Sequence, residues 1–116
     1  MAYDEGLAER IRELVADVPG VSERKMFGGL AFMLHGNMFV GVVASRLMAR
    51  VGLEQYEKAL RRPHVRVMNF TGRPMKGYVY VEERGTSEDA DLAGWVQACR
   101  TYVATLPPKS AGPGAP

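Results

Sequence analysis

Thiol and imidazole chemistry in this chain rests on three residues, Cys99, His35 and His64. A zinc-type site needs such ligands in closely spaced pairs. These three stand singly, so no metal is expected. Cys99 falls on a predicted helix face with Trp95, Val96, Tyr102 and Val103, where a thiol serves as a small buried hydrophobe. A nucleophilic thiol needs a basic, partly open setting instead. His35 stands in a predicted turn before Gly36-Asn37 and faces water. His64 follows Pro63 in a loop beside Arg61, Arg62 and Arg66, with no nucleophile partner in view. Gly28-Gly29 lacks the spaced third glycine and the strand-to-helix setting of a phosphate loop, and a tight turn or bulge needing positive φ is the expectation. From this inventory no catalytic residue and no cofactor is expected. A small-molecule enzyme built from this chain would have to bring Lys25, His64, Arg73 and Tyr78 into one cleft.

The cations are the more informative set. The chain has 15 Lys and Arg against 13 Asp and Glu, a net of +2, too little by itself to indicate a nucleic-acid binder. Between Ala44 and Lys76, however, eight cations face two carboxylates, a net of +6; the remainder carries seven cations against eleven carboxylates, −4. Within that segment Arg46, Arg50, Arg61, Arg62, Arg66, Arg73 and Lys76 could present an anion-binding face to nucleic acid, a phosphorylated ligand or an acidic protein surface. Phe70 and Tyr78 could stack on bases nearby, although no RNP-like, zinc-finger or helix-turn-helix pattern accompanies them. The competing expectation is that alternating arginines protect exposed edge strands from pairing with other chains. Met26, Met33, Met38, Met48, Met68 and Met75 could form an adaptable binding surface. Most fall inside predicted strands, so core filling is the default, with Met75, between Pro74 and Lys76, expected to be exposed.

The elements that must position these side chains follow from periodicity. Tyr3, Leu7, Ile11, Leu14, Val15 and Val18 recur at helical spacing, with Asp4 and Glu5 at the start and Pro19-Gly20 as the stop. From Ser22 to Val51 short apolar runs alternate with turn residues. Strands are predicted at Glu23 to Phe27, Leu30 to Leu34, Met38 to Val43 and Leu47 to Val51, joined by Gly28-Gly29, His35-Gly36-Asn37 and Ala44-Ser45-Arg46 as an antiparallel meander. A short helix is predicted from Leu53 to Arg61 with Leu53, Tyr56 and Leu60 on one face, ended by Arg62-Pro63. A short strand over Val65 to Met68, a turn at Thr71-Gly72-Arg73-Pro74 and a strand from Met75 to Val81 come next. The last helix starts at Thr86 or Ser87 with Asp89 completing a capping box, buries Leu92, Trp95, Val96, Cys99, Tyr102, Val103 and Leu106, and stops at Pro107-Pro108.

Helix, meander, helix, hairpin and helix together predict an α+β two-layer sandwich, its helices packed on an antiparallel sheet. At 116 residues, 47% hydrophobic and 24% charged, the chain has the length of one domain and an ordinary globular composition. That domain is expected over residues 1–106, with 107–116 a disordered Pro/Gly tail. A single cysteine excludes an internal disulfide. Met1 to Gly6 lacks the basic and apolar regions of a signal peptide, and no apolar run approaches the roughly 20 residues of a membrane span. A cytoplasmic location with no membrane partner is expected.

The central segment resembles a known family. Arg24-Lys25-Met26-Phe27-Gly28-Gly29-Leu30-Ala31-Phe32-Met33, followed by Gly36-Asn37-Met38-Phe39, is similar to the N-terminal domain of the TfoX/Sxy family. Leu47-Met48-Ala49-Arg50-Val51 and Gly72-Arg73-Pro74-Met75-Lys76-Gly77-Tyr78-Val79 resemble that family's strand before its short helix and its terminal hairpin. The likeness runs from about Leu7 to Leu106, and Lys25, Met26, Phe27, Gly28 and Gly29 carry its most specific signature. The resemblance implies a secretion-chaperone-like α+β fold in a bacterial protein and, in the longer members, regulation of competence genes as an accessory to the cyclic AMP receptor protein. From Leu106 onward only the short tail is expected, without the second helical domain of those longer members. The implied family is not one of enzymes and transfers no catalytic residue. The expectation is therefore a non-enzymatic interaction module, a transcription-associated adaptor, with a protein partner or a second copy of the chain. The alternative is anion or nucleic-acid binding through residues 44–76.

Overall fold

A computed structural model of the protein describes residues 3–26, 28–70 and 72–108, apart from the side chain of residue 70. Asp4 starts the first helix, α1 (Glu5–Leu14), by accepting hydrogen bonds at Oδ1 from the backbone N–H of Gly6 and Leu7, two donors that a helix end otherwise leaves without partners. Leu7, Ala8, Ile11 and Val15 are buried. Leu14, the last residue of the helix, is 42% exposed.

Four strands follow: β1 (Val21–Met26), β2 (Gly29–Leu34), β3 (Asn37–Val43) and β4 (Arg46–Arg50). They pair in sequence order as an antiparallel meander. Its turns are tighter than the sequence suggests, since Asn37 and Arg46 already belong to strands. His35 and Gly36 both take positive φ, +50° and +84°, the pattern whose twist suits a two-residue hairpin loop. Gly28, at φ +73°, serves the β1–β2 turn, while Gly29 opens β2.

The remaining half is not sequential. After α2 (Leu53–Leu60) the chain forms β5 (Val65–Phe70) and β6 (Arg73–Val81), and β6 inserts between β4 and β5. The order is β1-β2-β3-β4-β6-β5, a split crossover in which α2 carries the chain past one strand position. β6 bends at Gly77, φ +92°, whose carbonyl accepts from the N–H of both Val51 and Gly52. α3 (Glu83–Thr86) and α4 (Asp89–Ala104) complete the fold.

The helices pack on one face of the sheet. Phe32, Val40, Val42, Leu47, Ala49, Val79 and Val81 from the strands meet Ile11, Tyr56, Leu92, Trp95, Val96, Cys99 and Val103 in one core. The predicted capping box is absent: Thr86 is buried in α3, where its hydroxyl donates to the Glu83 carbonyl, and Glu88 is the N-cap of α4 without a side-chain cap bond. Arg10 ties down this junction instead, donating to the carbonyl of Thr86 at 2.7 Å and to Asp89 Oδ1 at 3.0 Å. Pro107 is held through its carbonyl by Asn37 Nδ2 at 2.9 Å. Residues 109–116, most of the predicted tail, lie outside the described residues.

Arg12 grips Glu23 of β1 with both ends of its guanidinium fork, Nε to Oε2 at 2.7 Å and Nη2 to Oε1 at 2.9 Å. This hydrogen-bonded cation holds the Glu23 carboxyl below its ordinary value of 4.5. A carboxyl depressed in the folded state contributes stability above its unfolded value and loses it as the pH falls through the folded one. Stability should therefore drop on acidification below 4.5 more steeply in the natural chain than in Glu23→Gln, with a difference under about 1 kcal/mol for a partly hydrated pair. Urea midpoints across that range measure it.

Candidate functional site

The face opposite the helices carries the side chains that the core does not use. Strand alternation puts Leu47 and Ala49 of β4 inward and Arg46, Met48 and Arg50 outward. On β6 it puts Val79 and Val81 inward and Tyr78 and Tyr80 outward. Pairing Met48 with Tyr80 and Arg50 with Tyr78 brings these outward residues together. The Arg46 guanidinium lies 3.9 Å from the centroid of the Tyr80 ring, and that of Arg50 lies 5.4 Å from Tyr78. Each such stack is worth roughly 0.5–2 kcal/mol, depending on its hydration. Arg50 also donates to the Met38 carbonyl at 3.3 Å.

Around these stacks lie all six of the methionines singled out from the sequence. Met38, Met48 and Met68 are buried with Ala31 and Tyr80, while Met26, Met33 and Met75 are half-buried against them. This second cluster consists of strand residues alone. Core filling thus describes half of the set. Met75 does not stand exposed, because the bend at Gly77 folds it onto the cluster.

The seven basic candidates do not share one surface. Arg46, Arg50 and Arg66 face outward on the open side, with Arg66 3.5 Å from Glu82. Arg61 caps α2 on the helix side, and Arg62 beyond it lies 4.0 Å over the Trp95 ring. Arg73 and Lys76 sit on the hairpin arm before Gly77. Edge protection does not account for Arg46 and Arg50, since β4 is an interior strand between β3 and β6. The edge β1 carries its own exposed polar run, Ser22 to Lys25. Phe27 of the family signature and the Phe70 side chain lie outside the described residues.

Lys25, His64, Arg73 and Tyr78 are not brought into one cleft. Lys25 pairs with Leu30 and so shares the helix-side face, whereas Tyr78 faces the open side on β6, four strand positions and about 19 Å away. His64 occupies the turn before β5 at φ +65°. Cys99 is buried in the core, and burial pushes its thiol up to about 12, which removes the thiolate a nucleophile requires. Among the described residues no group of His, Cys, Asp and Glu could hold a metal ion, and no helix is long and apolar enough to cross a membrane.

Sequence reasoning found the arginines and Tyr78 but neither Tyr80 nor their union with the methionines. The signal was available as alternation along 46–50 and 78–80, once the two segments are known to be neighbours. Compared with known proteins, the chain finds no match among curated proteins and none among solved structures. A family model described as TfoX N-terminal domain matches residues 13–101.

Proposed function

Because the chain belongs to the TfoX N-terminal domain family, we propose that it is a non-enzymatic interaction module, a transcription-associated adaptor that docks an acidic, apolar-studded protein partner on the open face of its sheet. The observation that supports this is the arrangement of Met33, Met75, Tyr78 and Tyr80 around Arg46 and Arg50 on the interior strands β4 and β6 and their neighbours. Methionine adapts its shape to an apolar partner. The arginines set the sign of the charge that partner must bring, and they disfavour self-association through this face, which would oppose like charges. Nucleic acid fits less well, because Tyr78, a ring a base would stack on, already carries the chain's own Arg50 guanidinium.

A photo-crosslinking residue placed at Ser22, exposed beside Met33 on the open face, tests the reading in cells. A discrete protein adduct is expected, absent when the crosslinker sits at Glu57 on α2 and reduced at least tenfold by Arg46→Glu/Arg50→Glu. No adduct, or the same adduct from both sites, overturns the reading. So does an adduct at twice the chain's own mass, which would be a homodimer, or one that nuclease removes, which would be nucleic acid.

A further inference from the structure

On the other side of the molecule, the helix layer does not close. α2 and α4 run antiparallel: Gly52, before α2, abuts Tyr102 so closely that a Cβ would come within 2.6 Å of its ring, while Arg62, after α2, covers Trp95. Ala59 of α2 and Ala98 of α4 leave a cavity of about 490 Å³, walled also by Val51, Trp95 and Tyr102. This is within the range of small-molecule sites. Leu53, which the sequence places on the buried face of α2, is instead 70% exposed at the rim, because the chain has just left the sheet at Gly52.

The polar groups are sorted to the ends of this slot. Glu54 and Thr101 lie toward the Tyr102 end; Lys58, in the last turn of α2, and Arg62, just beyond the helix, line the slot toward its Trp95 end. Stacking on Trp95 fixes the plane of the Arg62 guanidinium and leaves its N–H edge to donate. Among the described residues no carboxylate pairs with Lys58 or Arg62. The slot is elongated, since Trp95 and Tyr102 in its wall are seven residues apart on one helix, about 10 Å, with Ala98 between them.

We propose that this slot binds a small amphipathic carboxylate, an unbranched alkyl acid, whose chain runs along Trp95 and Ala98 and whose carboxylate is held by Lys58 and Arg62. A neutral or cationic head would forfeit both cations. This site is separate from the open sheet face and does not depend on what docks there.

The chain holds a single tryptophan, and it stands in the slot wall, so its emission reports occupancy. Titration with decanoate is expected to give a saturable change in Trp95 fluorescence, with decanol and a decyl ammonium salt at least tenfold weaker. Calorimetry on the Lys58→Gln/Arg62→Gln variant should show at least a tenfold loss. Ala98→Phe, which fills the slot without removing a buried side chain, should abolish binding while leaving the melting temperature within a few degrees. No saturable change, equal affinity for decanol, or unchanged binding by Ala98→Phe overturns the proposal. It is also overturned if the chain sediments as a dimer that Leu53→Asp dissolves and decanoate does not, because a second copy would then be the occupant.

Discussion

Gly29→Ala is expected to cost ~3 kcal/mol or more, whereas Gly28→Ala, one residue earlier, should cost about 1 kcal/mol. Urea unfolding followed by circular dichroism would separate the two. A Cβ on Gly29 would lie 2.0 Å from the carbonyl oxygen of Val42 on the neighbouring strand. That oxygen belongs to backbone pinned by the Leu30–Val42 pairing, so relief requires β2 and β3 to move apart at the start of their ladder. A Cβ on Gly28 meets nothing within 4 Å, and only its φ of +73° is strained by a side chain. Two adjacent glycines thus serve different ends: one makes the turn, and the other lets two strands approach. If both variants lost the same stability, the close approach at Gly29 would not be rigid.

The second large effect is expected on the open face. Met48→Ala should lose ~3 kcal/mol, and Met33→Ala less than about 1 kcal/mol. Met48 is fully buried although no helix residue joins its cluster. Its side chain lies over Gly41, where a Cβ would come within 2.5 Å of its methyl carbon, and its neighbours Ala31 and Met68 are likewise fully buried. Truncation opens a hole at the centre of the cluster. Met33 is only half-buried at the margin, so its truncation should spare the fold and weaken partner capture. Equal melting shifts for both variants would show that the cluster is uniformly solvated. Equal partner capture by Met33→Ala and the natural chain would remove the margin from the binding face.

Local pattern carried much of this architecture. The amphipathic stripe of α1, the alternation in β2 to β4 and the Val-Tyr alternation of β6 each reflect a face that one element buries by itself, and such faces are written in consecutive residues. What was not legible depends on residues distant in sequence. Arg46 and Arg50 read as edge protection until β6, some thirty positions later, is found paired against β4. Leu53 fits the helical stripe of α2 but sits where that helix leaves the sheet. Thr86 has the spacing of a cap, yet a four-residue helix claims it first and an arginine from α1 supplies the contacts at the junction. The slot between α2 and α4 has no sequence signature, since alanines at 59 and 98 look like ordinary helix formers until they face each other.

The insertion of β6 also orders events in time. β1 to β4 form from neighbouring hairpins, and β5 with β6 forms another; within the sheet, the seam pairing Leu47 with Val81 and Arg50 with Tyr78 joins the two halves. Closing that seam carries the larger loop-closure entropy, so it is expected to be slower than forming either local hairpin set. The two cation–π stacks of the open face and the Met48–Tyr80 pairing span the seam. A partly folded chain can therefore display helices and hairpins yet offer no competent docking face, so that recognition by a partner would act as a check on completed folding.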